Sequence, residues 1–271
     1  MSSDLQKLAT GIATQAGELI LRRRHEGVTV AATKSSAVDV VTLADRESED
    51  LIRSLIADAR PGDGFLGEES DATSSTTGLT WVVDPIDGTV NYLYDIPNYA
   101  VSIAVVEGDP GPHTWTALAA TVVNPAAGET FSAARGAGAT LNGSPIHANP
   151  AVDAALAMIG TGFSYTAERR IWQAGIVQQL IGQVRDIRRV GSAALDLCWV
   201  ANGRLDAYYE RGLNAWDHAA GVLIAQEAGA RVGGLHGREA SSDFTLAASP
   251  RLFDELHELL LDAGAEASIL G

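Results

Sequence analysis

The chain is short of cysteine, of basic residues and of long apolar runs, and each shortage excludes something. A single cysteine, Cys198, in 271 residues rules out a disulfide framework and a cysteine-rich zinc site. It also suits a reducing compartment. Only 19 Lys and Arg stand against 34 Asp and Glu, a formal net charge of −15. Binding along DNA or RNA needs clustered positive charge, and beyond Arg22-Arg23-Arg24 and Arg188-Arg189 there is none. No direct nucleic-acid partner is expected. The longest stretch free of Asp, Glu, Lys and Arg runs from Pro110 to Gly128 and holds three prolines, a histidine and an asparagine. It is not a continuous apolar helix, so no membrane span is expected. Met1-Ser2-Ser3-Asp4 and the amphipathic pattern after it, with Glu18, lack the basic start and apolar centre of a signal peptide. The expectation is a cytoplasmic protein. The six histidines show no metal-ligand spacing.

What is present is an ordinary globular balance, 46 % hydrophobic and 20 % charged. The length allows one large domain or two moderate ones. Leu5, Leu8, Ile12, Ala16, Leu19 and Ile20 step by three or four, which predicts a helix over residues 4–24. Val28–Ala31 reads as a short strand. Thr42 caps a second helix with Leu51, Ile52, Leu55 and Ile56 on its apolar face, ending at the breaker Arg60-Pro61-Gly62-Asp63-Gly64. Phe65-Leu66-Gly67 is a short strand, Asp71–Gly78 a mobile Ser/Thr-rich loop, and Thr80–Val83 a strand ending at Asp84. Strands over Tyr99–Val106, Trp115–Val123 and Thr130–Ala133, separated by Gly/Pro turns, predict a largely antiparallel sheet. After Asn142-Gly143-Ser144-Pro145, strands near 156–160, 184–188 and 206–209 alternate with helices near 167–182, 192–202 and 215–229. That alternation predicts an α/β half. We place a soft boundary near residue 147, with an N-terminal α+β half over 1–147 and a C-terminal α/β half over 148–271.

The densest chemical signal is Asp84-Pro85-Ile86-Asp87-Gly88-Thr89-Val90-Asn91. Two carboxylates at a strand end can hold hard divalent cations through oxygen. Free backbone N–H groups at Gly88 and Thr89, if a helical turn begins there, can hold a phosphate. Cation and phosphate bind best together, because each offsets the other's charge. The competing reading is a Pro-Asp-Gly turn with local hydrogen bonds. Glu68-Glu69 ends another strand, where acids are commonly just solvated. Asp217, in Trp216-Asp217-His218-Ala219-Ala220-Gly221, opens a helix that is apolar nearly all round and therefore buried. A first-turn acid complements the helix dipole, yet a carboxylate at the mouth of a buried helix also needs a partner, and a cation serves. Asp45, three residues after Thr42, fits a capping pattern.

Gly67-Glu68-Glu69, the Asp84–Asn91 octapeptide and Trp216–Gly221 together resemble the three signatures of the inositol monophosphatase family, Mg²⁺-dependent and lithium-sensitive phosphatases. Lys34-Ser35-Ser36-Ala37-Val38-Asp39 and Gly191-Ser192-Ala193-Ala194 match in order and spacing too. The resemblance implies a layered αβαβα sandwich and a homodimer. It implies that Glu68, Asp84 and the Ile86 carbonyl hold one Mg²⁺, that Asp84, Asp87 and Asp217 hold a second, and that Glu68 helps a third through water. Thr89 and Asp45 would orient and activate the attacking water, with Glu68 counted among the catalytic groups. The Gly88 and Thr89 N–H groups would take phosphate oxygens. Asp87, Asp217, Glu210 and the Gly191-Ser192-Ala193 segment would face the substrate, Glu210 bonding its hydroxyls. Lys34 matches a family lysine near the metal loop. Tyr92 stands where Phe is frequent.

The implied reaction is Mg²⁺-dependent hydrolysis of myo-inositol monophosphate, inhibited by Li⁺, on a small phosphorylated polyol. Within the same chemistry, fructose 1,6-bisphosphate, histidinol phosphate and 3′-phosphoadenosine 5′-phosphate are alternatives. A different class is a regulatory binding protein of the transcription machinery, as some bacterial members are.

Overall fold

The computed structural model describes residues 1–33, 40–108 and 114–266. The Lys34–Asp39 segment singled out above lies outside them. The chain opens with α1 (Ser2–Glu26), which buries Leu5, Ala9, Ile12, Ala13, Ala16 and Ile20 on one face. A small antiparallel pair follows, β1 (Val30–Thr33) and β2 (Val40–Thr42), with β1 two residues later than the expected strand at 28–31. Thr42 caps α2 (Leu43–Ala59) as expected.

Seven strands then form one sheet in chain order: β3 (Gly64–Gly67), β4 (Leu79–Asp87), β5 (Ala100–Glu107), β6 (Thr116–Asn124), β7 (Glu129–Ala134), β8 (Ala139–Leu141) and β9 (Ser144–Ile146). The β3–β4 pair is parallel and every later pair antiparallel. Side chains alternate across a strand, and here both faces are apolar. Trp81, Val83, Val101, Ile103 and Val105 pack on α1 and α2. Val82, Ala100, Ala104, Ala120 and Val122 pack the other way.

That other side is covered by α5 (Ala193–Ala201) and α6 (Ala215–Glu227). The same two helices meet a second sheet in the order β11 (Asp186–Arg188), β10 (Met158–Thr161), β12 (Ala207–Glu210), β14 (Thr245–Ala248), β13 (Arg231–Gly233). Its far face is closed by α4 (Ala167–Leu180) and α7 (Pro250–Asp262). The layers are therefore α, β, α, β, α. A short helix, α3 (Thr89–Leu93), continues directly from β4. Among the described residues no helix is long and apolar enough to cross a membrane.

Three differences from the sequence reading have physical causes. The segment Asp71–Gly78 is tied down rather than mobile. Phe65 and Thr73 exchange both backbone hydrogen bonds (3.1 and 2.8 Å), Thr76 N–H donates to Gly62 O (2.7 Å), and Thr77 Oγ1 donates to Asp63 Oδ1 (2.6 Å). Short polar side chains add to this, Thr76 Oγ1 donating to Gly62 O (3.0 Å) and Ser75 Oγ accepting from the Thr77 and Gly78 N–H groups (3.2 and 3.0 Å). β4 does not stop at Asp84 but runs on through Pro85 to Asp87. The elements β13, β14 and α7 had no counterpart in the sequence reading; α7 nonetheless carries a legible start in Pro250 and buried Leu252, Phe253, Leu256 and Leu260.

The α5–α6 contact explains the glycine in the Trp216–Gly221 motif. A Cβ at Gly221 would sit 2.7 Å from Leu197 Cβ on α5. Gly221→Ala should therefore lose about 1–2 kcal/mol, overpacking outweighing the gain in helix propensity. Gly11→Ala on the exposed face of α1, where a Cβ meets nothing within 4 Å, should gain about 0.5–1 kcal/mol. Equilibrium urea unfolding of the two variants checks the opposite signs.

Candidate active site

The site grows from the end of β4. In a regular strand, residues three apart point to opposite faces, so Asp84 and Asp87 would diverge. The ladder slips between them: Asp84 pairs with Ser102 and Asp87 with Ala100, so β4 carries one extra residue. Pro85 has no N–H to give the ladder and sits in this bulge. The extra residue brings Asp87 to the same side as Asp84. Asp217 arrives from the first turn of α6, where its Oδ2 accepts from the Asn214 N–H (2.6 Å) in a capping box. One carboxylate oxygen from each of Asp84, Asp87 and Asp217 lies within 4.8 Å of the others. Glu68, just past β3, shares a hydrogen bond with Asp84.

The electrostatics follow from this crowding. Asp84 is 2 % exposed and Asp87 8 %. Burial, then the charges of Glu68, Asp87 and Asp217, hold Asp84 well above the usual carboxylate range. Burial and the Asp87 and Glu68 charges do the same to Asp217. Asp87 is pushed up to about 6, by burial first. Hydrogen bonds from Ser192 Oγ (2.6 Å) and Ala194 N–H (2.7 Å) favour its charged form and limit that rise. Among the described residues no Lys or Arg forms a salt bridge with these three aspartates. Buried like charges without a basic partner demand an external cation, and an all-oxygen donor set suits a hard divalent one. The residues present fit such a metal.

Beside the carboxylates lies a cavity of about 140 Å³. Glu68, Asp84, Ile86, Asp87, Gly88 and Thr89 line it, together with Gly191, Ser192, Ala193, Glu210 and Asp217. Asp45 alone among the expected site residues does not line it. It is fully buried behind Thr89, whose Oγ1 hydrogen is shared between Asp45 Oδ1 (3.3 Å) and Ile86 O (3.1 Å). Asp45 Oδ2 accepts from the Thr42 N–H (2.8 Å) and hydroxyl (2.5 Å). The capping reading of Asp45 therefore holds through Oδ2, while Oδ1 is turned towards Thr89. Burial pushes its carboxyl up to about 7.

Gly88 turns the chain from β4 into α3 with φ 93°, and a Cβ there would meet Asn98 O at 2.9 Å and Gly191 O at 3.1 Å. Asn91 fastens the two halves of the site, its Nδ2 donating to Asn98 O (2.7 Å) and Val190 O (2.9 Å). Glu210 Oε2 accepts from Tyr208 Oη (2.6 Å), and burial pushes the Glu210 carboxyl up to about 7 against the pull of Arg189. Gly162 leaves room for it, since a Cβ there would fall on the Glu210 carboxyl.

Of the charged lining residues, sequence reasoning missed Arg189, Asp196 and Arg211. Arg189 belongs to a pair dismissed as too small a basic cluster. Asp196 lies in a helix read as core, is 1 % exposed, and its Oδ1 has no hydrogen-bond partner. The available signal was its spacing, four residues after the cap Ser192 and so on the same face of α5.

Comparison with known proteins agrees with this geometry. The family model described as the inositol monophosphatase family matches residues 1–265. A protein named inositol-1-monophosphatase from Mycobacterium bovis is 43 % identical, covering 93 % of this chain and 91 % of its own. One named Nus factor SuhB from Xylella fastidiosa is 40 % identical, covering 93 % and 87 %. The solved structure of Mycobacterium tuberculosis SuhB superposes with a TM-score of 0.83 at 39 % identity, covering 98 % of this chain and 99 % of that one.

The carboxylate crowding gives a test that needs no substrate. Asp84→Asn keeps an acceptor for the Ile86 N–H (3.0 Å in the parent) and removes one like charge. In chelator the variant should melt higher than the parent. Adding Mg²⁺ at a hundredfold excess over its dissociation constant should stabilise the parent by about 2.7 kcal/mol and the variant by far less. Differential scanning calorimetry with and without Mg²⁺ reads both signs.

Proposed function

Because this chain belongs to the inositol monophosphatase family, we propose that it hydrolyses myo-inositol monophosphate to inositol and inorganic phosphate with Mg²⁺. The observation that carries the reading is the meeting of Asp84, Asp87 and Asp217 in one cluster, beside a cavity that Glu210 also lines. Glu68, Asp84, Asp87, Asp217 and the Ile86 carbonyl are the donors we assign to the metal. A divalent cation there neutralises phosphate charge and makes water more acidic.

The chain's own groups divide the rest of the work. Thr89 Oγ1 gives its hydrogen to Asp45 and Ile86, which leaves its lone pairs free to accept from the attacking water. As that water reaches phosphorus, its proton passes to Thr89 Oγ1 and the hydroxyl proton of Thr89 passes to Asp45 Oδ1. A carboxyl near pKa 7 is matched to that transfer at neutral pH. The Gly88 and Thr89 N–H groups take phosphate oxygens, and the leaving alkoxide is protonated by solvent. Phosphoryl transfer asks for little more than such positioning and charge neutralisation. Glu210, steadied by Tyr208, accepts from the sugar hydroxyls, which favours a polyol over a nucleotide. Gly191, Ser192 and Ala193 line the cavity, and the Ser192 hydroxyl and the backbone of residue 194 keep Asp87 aimed.

Relatives named Nus factor SuhB support a second reading, a binding role in transcription. The complete acid set argues for catalysis, since a pure scaffold would have no use for four acids crowded together, two of them buried. Asp87→Asn separates the two: phosphate release should fall on the order of 10²–10³-fold, while a binding role survives.

Phosphate release from inositol 1-phosphate, fructose 1,6-bisphosphate, histidinol phosphate and 3′-phosphoadenosine 5′-phosphate identifies the substrate. Inositol 1-phosphate should be preferred, and millimolar Li⁺ should inhibit. Glu210→Gln should lower kcat/KM for inositol 1-phosphate by about 10–100-fold, the worth of a hydrogen bond to a charged group. It should leave 4-nitrophenyl phosphate, which has no hydroxyls to read, nearly unchanged. Equal losses on both would remove the substrate-side role of Glu210.

A further inference from the structure

One buried polar group on α2 is not used by the reaction above. Glu49 is 1 % exposed, yet it makes no salt bridge to a basic side chain among the described residues. Its carboxyl is spent on the backbone turn that carries Glu68. Oε2 accepts from the Glu69 N–H (2.8 Å), and Oε1 accepts from the Ser70 hydroxyl. Arg53, one turn further along α2, holds the next stretch by donating to Asp71 O (3.0 Å), with its guanidinium 4.1 Å from the Phe65 ring. Gly67 is the counterpart: a Cβ there would stand 2.7 Å from Glu49 Cδ. Glycine at the start of Gly67-Glu68-Glu69 is therefore explained by the carboxyl that occupies its side-chain space.

Glu49 has companions at helical spacing. Asp45, Ser48 and Glu49 lie on one face of α2 and all are buried. Asp45 accepts from Thr89, Ser48 Oγ donates to Pro85 O (3.2 Å), and Glu49 takes Glu69 and Ser70. A single rigid helix thus grips the start of α3, the bulge of β4 and the end of β3. These are the segments that present Thr89, Asp84 with Asp87, and Glu68.

We propose that Glu49 is a positioning residue that fixes the Glu68 carboxyl for the cation by holding the Glu69–Ser70 backbone, with Gly67 vacating the space it needs. The inference rests on the metal reading of Glu68 given above. Outer groups that orient metal ligands are worth about 10–100-fold in metal affinity. Glu49→Gln retains an oxygen for the Glu69 N–H, whereas Glu49→Ala frees the turn, and Gly67→Ala displaces the carboxyl without removing it.

Mg²⁺ binding by isothermal titration calorimetry, with melting in chelator recorded alongside, tests this. The Glu49→Gln protein should bind Mg²⁺ within about threefold of the parent, while Glu49→Ala and Gly67→Ala should each bind about 10–100-fold more weakly. For both, kcat at saturating Mg²⁺ should recover most of the parent value. Ile56→Val, a packing change on the same helix, should lower the melting temperature and leave Mg²⁺ affinity alone. Parent-like affinity in folded Glu49→Ala would overturn the positioning role. So would a loss of affinity in Ile56→Val as large as in Glu49→Ala, since stability alone would then account for it. Should Glu49→Ala not fold, Gly67→Ala decides on the same reading. A parent protein that binds no Mg²⁺ would remove the metal reading itself, a separate failure visible before any variant is measured.

Discussion

Mutual repulsion among buried carboxyls is the constraint around which the molecule is arranged. Asp84, Asp87 and Asp217 approach within 4.8 Å, with Glu68 alongside, in surroundings that exclude most water. Left to itself each would move away or take up a proton, as the upward displacement of their titration shows. They stay because rigid elements fix them. Asp84 and Asp87 are held by the bulged end of β4, Asp217 by the capping box of α6, and Asp87 additionally by the cap of α5. Stability is given up locally to keep a cation site ready, and the large apolar faces of the sheets offset it elsewhere.

The layering serves that arrangement. β4 is buried along its whole length, so its end cannot shift without disturbing Trp81, Val82 and Val83 in two cores at once. α5 and α6 lie between the two sheets and are apolar on both sides. Their N-termini carry Ser192 and Asp217 to the end of β4. On the other side α2 is polar where it meets the site and apolar where it meets the core, with Ile52 and Ile56 in the core and Asp45, Ser48 and Glu49 on the strand ends. The site is thus clamped between helices from the two halves of the chain, which explains why residues more than a hundred positions apart share hydrogen bonds.

Two glycines, Gly67 of the first acidic motif and Gly162 of the cavity lining, act by the room they leave. The Cβ that Gly67 lacks would strike Glu49, and the one Gly162 lacks would strike Glu210. In each case a carboxyl takes the vacated volume, so charge is packed against backbone rather than against another side chain. Gly88 differs, because its positive φ is what lets β4 turn into α3 with no intervening loop.

The sequence by itself determined the helices α1, α2, α4, α5 and α6, the antiparallel character of the first sheet, the three acidic motifs and the cap of α2. All of these rest on local rules: periodicity, turn residues and caps act over a few residues, and Asp84-Pro85-Ile86-Asp87-Gly88-Thr89 is contiguous. Tertiary structure decided what those rules cannot carry. The bulge at Pro85 appears only when β5 is present to be out of register with, and without it Asp84 and Asp87 face apart. The fixing of Asp71–Gly78 depends on β3 and the Gly62 turn lying beside it. The role of Glu49 depends on α2 packing against the end of β3, and Asp196 and Arg189 join the cavity only because α5 and the end of β11 bring them to it. Local sequence names the charged groups, but which of them share one buried volume is set by long-range packing, and in that volume the chemistry is done.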